Sequence, residues 1–342
     1  MMALEPFPGF RPFPAHHCVT GSMRHVYDLH GVDVSEELLL GLGAGVGFLY
    51  WHQTGAPPML LGRANVGRPG EEGMERAAGR RTGVTVDAHT TSSARTAETA
   101  LVAQLEAGEP AMLKVDMAYL PYLDLPQGYH FGGHVVTVVG YDPVDRAVLV
   151  CDRDVALHPV PLGALARARG STFKPFPPHH GWYTFDFRDG HRPAVAEVRA
   201  AIRGAAIGML EPPIANFGVR GIRKAATLVP RWPARMDAAA LRGACVNAFF
   251  LIDAAGGTGG GLFRYLYGRF LEEAAAITGD PALRGLGVEL HAIGDRWQDV
   301  AELLRKAAQD SFPAEPLTEA GQTLEEIAGR EEAVWRGLLS RR

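Results

Sequence analysis

The chain contains a cysteine, a histidine and an aspartate in sequence contexts that favour nucleophilic catalysis. Cys18 lies where a predicted helix begins, and the positive end of a helix dipole stabilises a thiolate. His134 begins a strand-like segment after two glycines, and Asp152 ends the next such segment, 18 residues later. An antiparallel pair would bring these two side chains into register near one end of a sheet. The order predicts a thiolate nucleophile, an imidazole base and a carboxylate that orients the base.

Other interpretations of these residues stay open. A free cysteine is usually a small buried hydrophobe, and a histidine taken alone is more often a hydrogen-bonded structural residue. Asp154 competes with Asp152 for the role of the acid if the strand register shifts by two residues. The other two cysteines, Cys151 and Cys245, lie in apolar segments and are predicted to belong to the core.

The elements that must position these residues are helices first and antiparallel strands afterwards, which favours an α+β fold. One short helix is predicted from Cys18 to Gly31, and a second from the N-cap Ser35 toward Trp51, although the glycines between residues 41 and 47 weaken it. A further helix is predicted at residues 96–107. Strands are predicted at residues 84–87, 111–115, 134–141 and 147–152, and the last two form a hairpin around the turn at residues 142–145. The second half of the chain predicts helices at residues 194–209, 237–254, 262–278, 297–309 and 317–339.

Two domains are expected from the length of 342 residues, at roughly 150 residues for each domain. A Pro-, His- and Gly-rich stretch at residues 174–190 is interpreted as a loop or a boundary. We therefore predict a catalytic domain with an antiparallel sheet over residues 1–190 and a mostly α-helical domain over residues 191–342.

The composition excludes several classes of protein. A formal net charge of −4 leaves no basic excess for phosphates, and neither zinc-finger spacing nor an RNP-like segment occurs, so no nucleic acid partner is expected. The sequence has no run of about 18 apolar residues, and its Pro-rich start lacks the pattern of a signal peptide. No membrane association is expected, and the predicted location is the cytoplasm. Three widely spaced cysteines suit a reducing compartment.

We expect neither a cofactor nor a metal. The consecutive residues His16, His17 and Cys18 would rarely converge on one zinc, and neither HExxH nor a paired CxxC motif is present. A glycine-rich segment at residues 256–261 precedes an amphipathic helix. We interpret it as a flexible inter-helix loop, with an anion site for a phosphate such as that of a pantetheine arm as the alternative.

Five segments of the sequence resemble the butirosin biosynthesis protein H family. They are HHCVTG (16–21), VDMAYLPY (115–122), GGHVVTVVGYD (132–142), VCDRD (150–154) and GTGGGLFRYLYGRFLEEAA (257–275). The resemblance covers nearly the whole chain. It implies a first domain similar to papain-like peptidases of the bacteriocin-processing type, followed by a helical domain of poorly defined function.

The resemblance also implies an activity, an acyltransferase that forms an amide through an acyl-cysteine intermediate. The family's namesake moves an acyl group from the thioester of an acyl carrier protein to an aminoglycoside amine. The implied partners are a carrier protein or other thioester donor and a small-molecule amine, in the setting of antibiotic or other specialised metabolism. A hydrolase and an inactive binding protein are the alternatives, and the oligomeric state stays open, a homo-oligomer being compatible with the sequence.

One feature departs from the papain-like pattern, which usually places a glutamine a few residues before the cysteine as an oxyanion donor. Residues 11–17 read RPFPAHH. His16, His17 or the backbone N–H of Cys18 would then supply the oxyanion hole. His17 and Asp116 are the candidate oxyanion or substrate residues, whereas a structural role for His17 and a local turn cap for Asp116 are the competing interpretations. His130 is interpreted as a loop histidine.

Overall fold

The computed structural model describes residues 4–53, 57–65, 72–309 and 314–341, which form α-helices and antiparallel strands. The helices of these residues are α1 (Cys18–Leu29), α2 (Glu36–Leu42), α3 (Met74–Arg80), α4 (Ala94–Glu106), α5 (Leu162–Arg169), α6 (Val195–Leu210), α7 (Gly218–Leu228), α8 (Ala238–Ile252), α9 (Arg264–Thr278), α10 (Ala282–Ala307) and α11 (Glu315–Leu339). The strands are β1 (Val46–Trp51), β2 (Met59–Arg63), β3 (Thr85–His89), β4 (Ala111–Val115), β5 (His134–Asp142), β6 (Ala147–Cys151), β7 (Leu157–Pro161) and β8 (Trp182–Asp186). The predicted α+β class, with most helices in the C-terminal half, is confirmed.

Two compact units form along the chain. Unit 1 combines the residues up to Glu36 with Thr82–Arg192, and unit 2 combines Glu37–Arg81 with the residues from Pro193 onward. The chain passes between the units three times, and the predicted boundary at residue 190 lies beside the third passage, between Arg192 and Pro193. Residues 37–81, which the sequence analysis assigns to the first domain, pack within unit 2. The division into a catalytic domain over residues 1–190 and a helical domain over residues 191–342 stays a prediction.

The sheet of unit 1 has six antiparallel strands in the order β3-β8-β4-β5-β6-β7. The predicted hairpin is confirmed as β5 and β6, which pair Val138 with Val150. Its turn is closed by the carboxylate of Asp142, which accepts hydrogen bonds from the backbone N–H groups of Val144 (2.7 Å) and Asp145 (3.1 Å). An aspartate that bonds the backbone two residues ahead is the turn chemistry that the sequence predicts.

Helices cover both faces of this sheet. Alternate residues of β4, β5 and β6 pack against α4 and α5 in one apolar cluster, which includes Leu113, Val136 and Val150. On the other face α1 packs against β5, where the Thr137 hydroxyl donates to the backbone oxygen of Ser22 at 3.4 Å. Because side chains of a strand alternate between faces, β5 is buried on both sides, as its run of apolar residues requires.

The prediction of a loop over residues 174–190 is wrong for its central part. Strand β8 lies there, and it pairs with both β3 and β4 inside the sheet. From Tyr183 to Asp186 the strand alternates aromatic and polar residues, which suits a half-buried strand. The flanking prolines and glycines are typical of a loop, so the sequence did not predict this short strand. The strands β3 and β4 that stabilise it are distant along the chain.

The prediction of a helix from Ser35 toward Trp51 is also wrong beyond Leu42. Helix α2 ends there, and the following aromatic residues form β1, which pairs with β2. A Cβ atom on Gly43 or Gly45 would lie 2.3–2.4 Å from the side chain of Met74, so these glycines permit α3 to approach closely. Packing between segments therefore determines the structure here, rather than helix propensity.

Unit 2 is mostly helical, and the helices predicted at residues 194–209, 237–254, 262–278 and 317–339 are confirmed as α6, α8, α9 and α11. Helix α10 begins fifteen residues before its predicted start at residue 297, and α7 is not predicted. None of the helices in the described part of the chain combines the length and hydropathy that a membrane crossing needs.

A buried ion pair lies in the core of unit 2. The guanidinium of Arg264 donates from two nitrogens to the two carboxylate oxygens of Glu331, at 2.8 and 2.9 Å, and neither side chain is exposed. The indole N–H groups of Trp297 and Trp335 donate to the same carboxylate, each at 3.0 Å. Four donors therefore satisfy one buried anion, which is the condition under which a buried charge is tolerated.

The glycine-rich segment at residues 256–261 packs closely inside unit 2. The N–H of Gly261 donates to the side-chain oxygen of Gln298 at 3.0 Å, and a Cβ atom on Gly261 would lie 2.7 Å from the backbone of Gly294. Gly261, Leu262 and Phe263 all have positive φ, and α9 begins only after them. These contacts favour the inter-helix loop over the anion site, because the N–H groups of the glycines do not lie in the first turn of α9.

Candidate active site

Cys18 is the first residue of α1, and the helix begins there because a buried carboxylate holds the preceding backbone. Glu36, only 2% exposed, accepts hydrogen bonds from the N–H groups of His16 (3.0 Å) and His17 (2.6 Å). It also accepts one from the hydroxyl of Thr20 at 3.0 Å. Acidic groups stabilise helix N-termini in this way. Sequence reasoning missed Glu36, since its partners lie 16–20 residues earlier.

The ring of His17 is buried beside the same contacts. Its Nδ1 lies 3.1 Å from the hydroxyl oxygen of Thr20, and its backbone N–H is bonded to Glu36. These bonds support the structural interpretation of His17, and a part in an oxyanion hole stays a prediction. His16 is exposed, and its backbone N–H is bonded to the same carboxylate.

The chain before Cys18 folds back against α1 at Gly21. A Cβ atom on Gly21 would lie 2.3 Å from the Cβ atom of Ala15, so only glycine permits this approach. The N–H of Ala15 donates to the backbone oxygen of Arg153 at 2.8 Å. The segment that leads to Cys18 is thus tied to the residue after Asp152, which explains the glycine of the HHCVTG segment.

We expect Gly21→Ala to destabilise unit 1 by roughly 1–3 kcal/mol, because the added methyl overlaps Ala15 although alanine favours a helix. The alkylation rate of Cys18 should fall as well, since the segment before it must move. Urea unfolding and iodoacetamide labelling measure the two effects. Gly163→Ala in α5 is the control, because a Cβ atom there meets nothing within 4 Å. Equal stability of Gly21→Ala and the natural protein would show that the contact does not constrain the fold.

His134 and Asp152 are brought together at the start of β5. His134 Nε2 lies 2.8 and 3.0 Å from the two carboxylate oxygens of Asp152, and both side chains are nearly buried. The His134 side chain is also hydrogen-bonded to Cys18. Because Nε2 faces the carboxylate, we infer that Nδ1 faces the thiol. The three residues that the sequence proposes for catalysis therefore form one contiguous chain of contacts.

The contact between His134 and Asp152 is diagonal rather than directly in register. The pairing of Thr137 with Cys151, continued past the end of β6, would place Asp154 opposite His134 and Asp152 two residues away. The chain bends at residues 153–155, and Asp152 reaches His134 across the diagonal of the pair. The expected direct register was wrong, although the proximity that it predicted is observed.

The charges of the three residues support one another. Burial alone would lower the pKa of His134, but the Asp152 carboxylate and Cys18 outweigh it and raise this pKa to about 10. Burial alone would raise the pKa of Asp152, but His134 and the neighbouring Tyr122 lower it below its ordinary value. The imidazolium, held by the Asp152 carboxylate, is thus the favoured form of His134 at neutral pH.

A second cysteine and histidine in contact, Cys151 and His25, have the opposite electrostatics. Cys151 Sγ lies 3.5 Å from His25 Nε2, which also accepts a hydrogen bond from the N–H of Phe13 at 3.0 Å. Burial raises the pKa of Cys151 to about 12 and lowers that of His25 to about 4. Burial likewise raises the pKa of Cys245 to about 12. Cys151 and Cys245 are buried, as predicted, and both thiols are neutral at pH 7.

We expect iodoacetamide to label Cys18 first, and to do so down to mildly acid pH, because the thiolate is the reactive form. A thiol with a pKa of about 12, as in Cys151 and Cys245, holds on the order of one thiolate in 10⁵ molecules at pH 7. Peptide mapping after timed labelling identifies the site. Earlier labelling of Cys151 or Cys245 would contradict the assignment of the nucleophile.

The carboxylate of Asp152 has a further partner that sequence reasoning missed. The Tyr122 hydroxyl donates to Asp152 Oδ2 at 2.9 Å. Tyr122 ends the segment VDMAYLPY, yet nothing in its spacing pointed to Asp152. The competing acid, Asp154, is exposed and pairs with the ring of His158 at 3.0 Å.

The other predicted site residue, Asp116, has a fully occupied carboxylate. It accepts hydrogen bonds from the N–H groups of Ala118 and Phe131, both at 3.1 Å, and from the Ser171 hydroxyl at 2.6 Å. His130 Nδ1 lies 2.8 Å from it. Asp116 is completely buried, and these contacts support the turn-capping interpretation rather than a substrate-binding one. In the part of the chain that the structure describes, its hydrogen bonds do not extend to Cys18, His134 or Asp152.

Comparison with known proteins identifies both parts of the chain. Residues 17–153 match the family model described as butirosin biosynthesis protein H, N-terminal. Residues 163–338, half of the chain, match the domain of unknown function DUF4872. Among curated proteins no match is found. The first match spans Cys18, His134 and Asp152, and the second spans the buried Arg264 and Glu331. The chain therefore carries a butirosin biosynthesis protein H N-terminal domain over residues 17–153, followed over residues 163–338 by a member of the DUF4872 family, a domain of unknown function.

Proposed function

We propose that this protein is a cysteine-dependent acyltransferase that moves an acyl group from a carrier-protein thioester to an amine through an acyl-Cys18 intermediate. The observation that carries the proposal is the contact of Cys18, at the start of α1, with His134, which Asp152 holds from its other side. This is the constellation of a nucleophile, a base and an orienting acid. The family, named for antibiotic biosynthesis, supports a biosynthetic reaction.

The proposed reaction has two half-reactions in which atoms and protons balance. In the first, the Cys18 thiolate attacks the thioester carbonyl, the bond from carbonyl carbon to carrier sulfur breaks, and His134 donates its proton to the leaving thiolate. In the second, the amine attacks the acyl-cysteine, His134 accepts the amine proton, and the Cys18 thiolate leaves. The imidazolium and thiolate are then restored. The raised pKa of His134 supports the first state of this cycle.

Asp152 holds one orientation of the ring throughout the proposed cycle. A carboxylate on Nε2 fixes the tautomer and stabilises the imidazolium without itself taking the proton. Its lowered pKa, which follows from His134 and Tyr122, keeps it ionised at neutral pH. The contact with both carboxylate oxygens fits this role.

The proposal includes a papain-like fold for unit 1. Three features support it: the cysteine begins a helix that packs on an antiparallel sheet, the histidine begins a strand of that sheet, and the acid follows the neighbouring strand. A papain-like fold places its cysteine, histidine and acid in this chain order.

The same residues would serve a hydrolase, in which water replaces the amine, so the test must separate transfer from hydrolysis. The protein is incubated with carrier proteins loaded with different acyl groups and analysed by intact-protein mass spectrometry. An adduct that maps to Cys18, persists in water and disappears when an amine is added is the expected result. An adduct that decays equally fast without amine would indicate a thioesterase or peptidase, and an adduct on another residue would overturn the proposal.

A further inference from the structure

Tyr122 joins the candidate triad to a second layer of contacts. Its hydroxyl donates to Asp152 Oδ2 at 2.9 Å, and its ring stacks on the ring of His158 with centroids 4.0 Å apart and an angle of 14°. His158 in turn pairs with Asp154. The Tyr122 hydroxyl is the donor, because burial and the negative charge of Asp152 raise its pKa far above neutral pH.

The loop that carries Tyr122 is fixed at both ends by one buried carboxylate. Asp116 precedes the loop and accepts the N–H of Ala118 at its start and the N–H of Phe131 at its end. The N–H of Met117 donates directly to the Phe131 oxygen at 3.1 Å, which closes the same loop. Between these ends, Leu120 is buried in the core cluster of the sheet. The loop is therefore closed and anchored, so the position of Tyr122 is determined from both sides.

Asp152 needs such a second donor to hold one orientation. His134 Nε2 lies within hydrogen-bond distance of both carboxylate oxygens, so this single contact leaves the rotation of the carboxylate poorly defined. A hydroxyl on Oδ2 distinguishes the two oxygens and fixes the plane of the group. Hydrogen bonds to charged groups are about twice as strong as neutral ones, which makes this contact effective.

We propose that Tyr122 is a positioning residue for the reaction, which fixes Asp152 and through it the ring of His134. The inference rests on the proposed function of Cys18, His134 and Asp152. It gives Asp116 a part as well: this carboxylate holds the loop that delivers the tyrosine, which is why the segment VDMAYLPY contains both residues. The substrate is not touched by either residue in this scheme.

The test is Tyr122→Phe, which removes only the hydroxyl and keeps the ring on His158. We expect kcat for acyl transfer to fall on the order of 10-fold with KM unchanged. Without the hydroxyl the pKa of Asp152 rises, so this carboxylate takes up a proton at a higher pH and then no longer stabilises the His134 imidazolium. The acid limb of the pH profile for Cys18 alkylation should therefore move to higher pH. The thermal unfolding temperature should stay close to that of the natural protein.

Tyr119→Phe is the matched control, since it removes a hydroxyl from the same loop and its ring lies beside His130, 5.7 Å between centroids. It should leave both kcat and the alkylation profile unchanged. The inference would be overturned if Tyr122→Phe had the kcat and the alkylation pH profile of the natural protein. It would also be overturned if Tyr119→Phe changed both by the same amount. If the natural protein transfers no acyl group, the proposed function fails, whereas the alkylation profile still tests the contact of Tyr122 with Asp152.

Discussion

Replacing Cys18 with alanine should abolish the covalent acyl adduct, because the other two cysteines, Cys151 and Cys245, are buried and their thiols are neutral at pH 7. Cys151 is the thiol that contacts His25, and burial raises its pKa to about 12. His134→Ala should be nearly as damaging, since it removes both the base and the proton donor of the leaving group. Effects of residues that act as a unit are strongly non-additive, so the double variant should be no worse than Cys18→Ala alone.

Asp152→Asn should slow acyl transfer by about 10²–10⁴-fold, since it misdirects the tautomer of His134 while the nucleophile stays in place. The loss should appear in kcat, because Asp152 acts through His134. Single-turnover kinetics with a loaded carrier protein would separate this step from binding. A variant with natural kcat would remove the acid from the proposed mechanism.

Asp154→Asn is the matched control for this prediction, because it makes the same chemical change two residues later. Its carboxylate is exposed and bonded to His158, away from His134. We expect activity close to that of the natural protein. A large loss in Asp154→Asn with natural activity in Asp152→Asn would mean that Asp154, which the continued register of β5 and β6 places opposite His134, is the acid that orients the ring in solution.

The hairpin that carries the base could be predicted because its signals are local. The apolar run of β5, the turn at Asp142 and the short β6 all lie within 18 residues, and alternation and turn chemistry are sufficient to define them. The helix at Cys18 is equally local. The proximity of His134 and Asp152 followed from this hairpin, although the diagonal contact depends on where β6 ends.

The partners of these residues could not be predicted, because each contact joins segments that are distant along the chain. Glu36 caps α1 from beyond its C-terminal end, and Tyr122 reaches Asp152 from a loop 30 residues earlier. Sequence periodicity carries no information on such pairs. The membership of residues 37–81 in unit 2 was missed for the same reason, since β1 and β2 pair only with each other in the described sheets.

The close contacts made at glycines could not be predicted from the sequence either. Gly21 in α1 and Gly43 beside α3 weaken a helix by local propensity, yet each permits another segment to approach where a Cβ atom would overlap it. In the sequence, the glycines between residues 41 and 47 weaken the helix predicted from Ser35 toward Trp51. The structure shows that the chain there changes from α2 to β1, and that the glycines serve the packing against Met74.

The largest loss of stability should come from Glu331→Ala, which we expect to cost about 3–5 kcal/mol because it leaves Arg264 buried without its anion. Both side chains are fully buried, and the carboxylate also accepts the indole N–H groups of Trp297 and Trp335. Urea unfolding followed by tryptophan fluorescence measures the change, since these two indoles contact the altered position.

Glu332→Ala is the control for Glu331→Ala, because it removes a neighbouring glutamate that also pairs with arginines, at 2.6 Å to Arg223 and 2.5 Å to Arg336, but at the surface. Surface ion pairs contribute about 0–1 kcal/mol, so its effect should be small. A double-mutant cycle combines Glu331→Ala with Arg264→Met. The double variant should be more stable than Glu331→Ala alone, because no unpaired charge then stays in the core. If Glu331→Ala and Glu332→Ala lower the free energy of unfolding equally, burial of the pair does not determine the stability of unit 2.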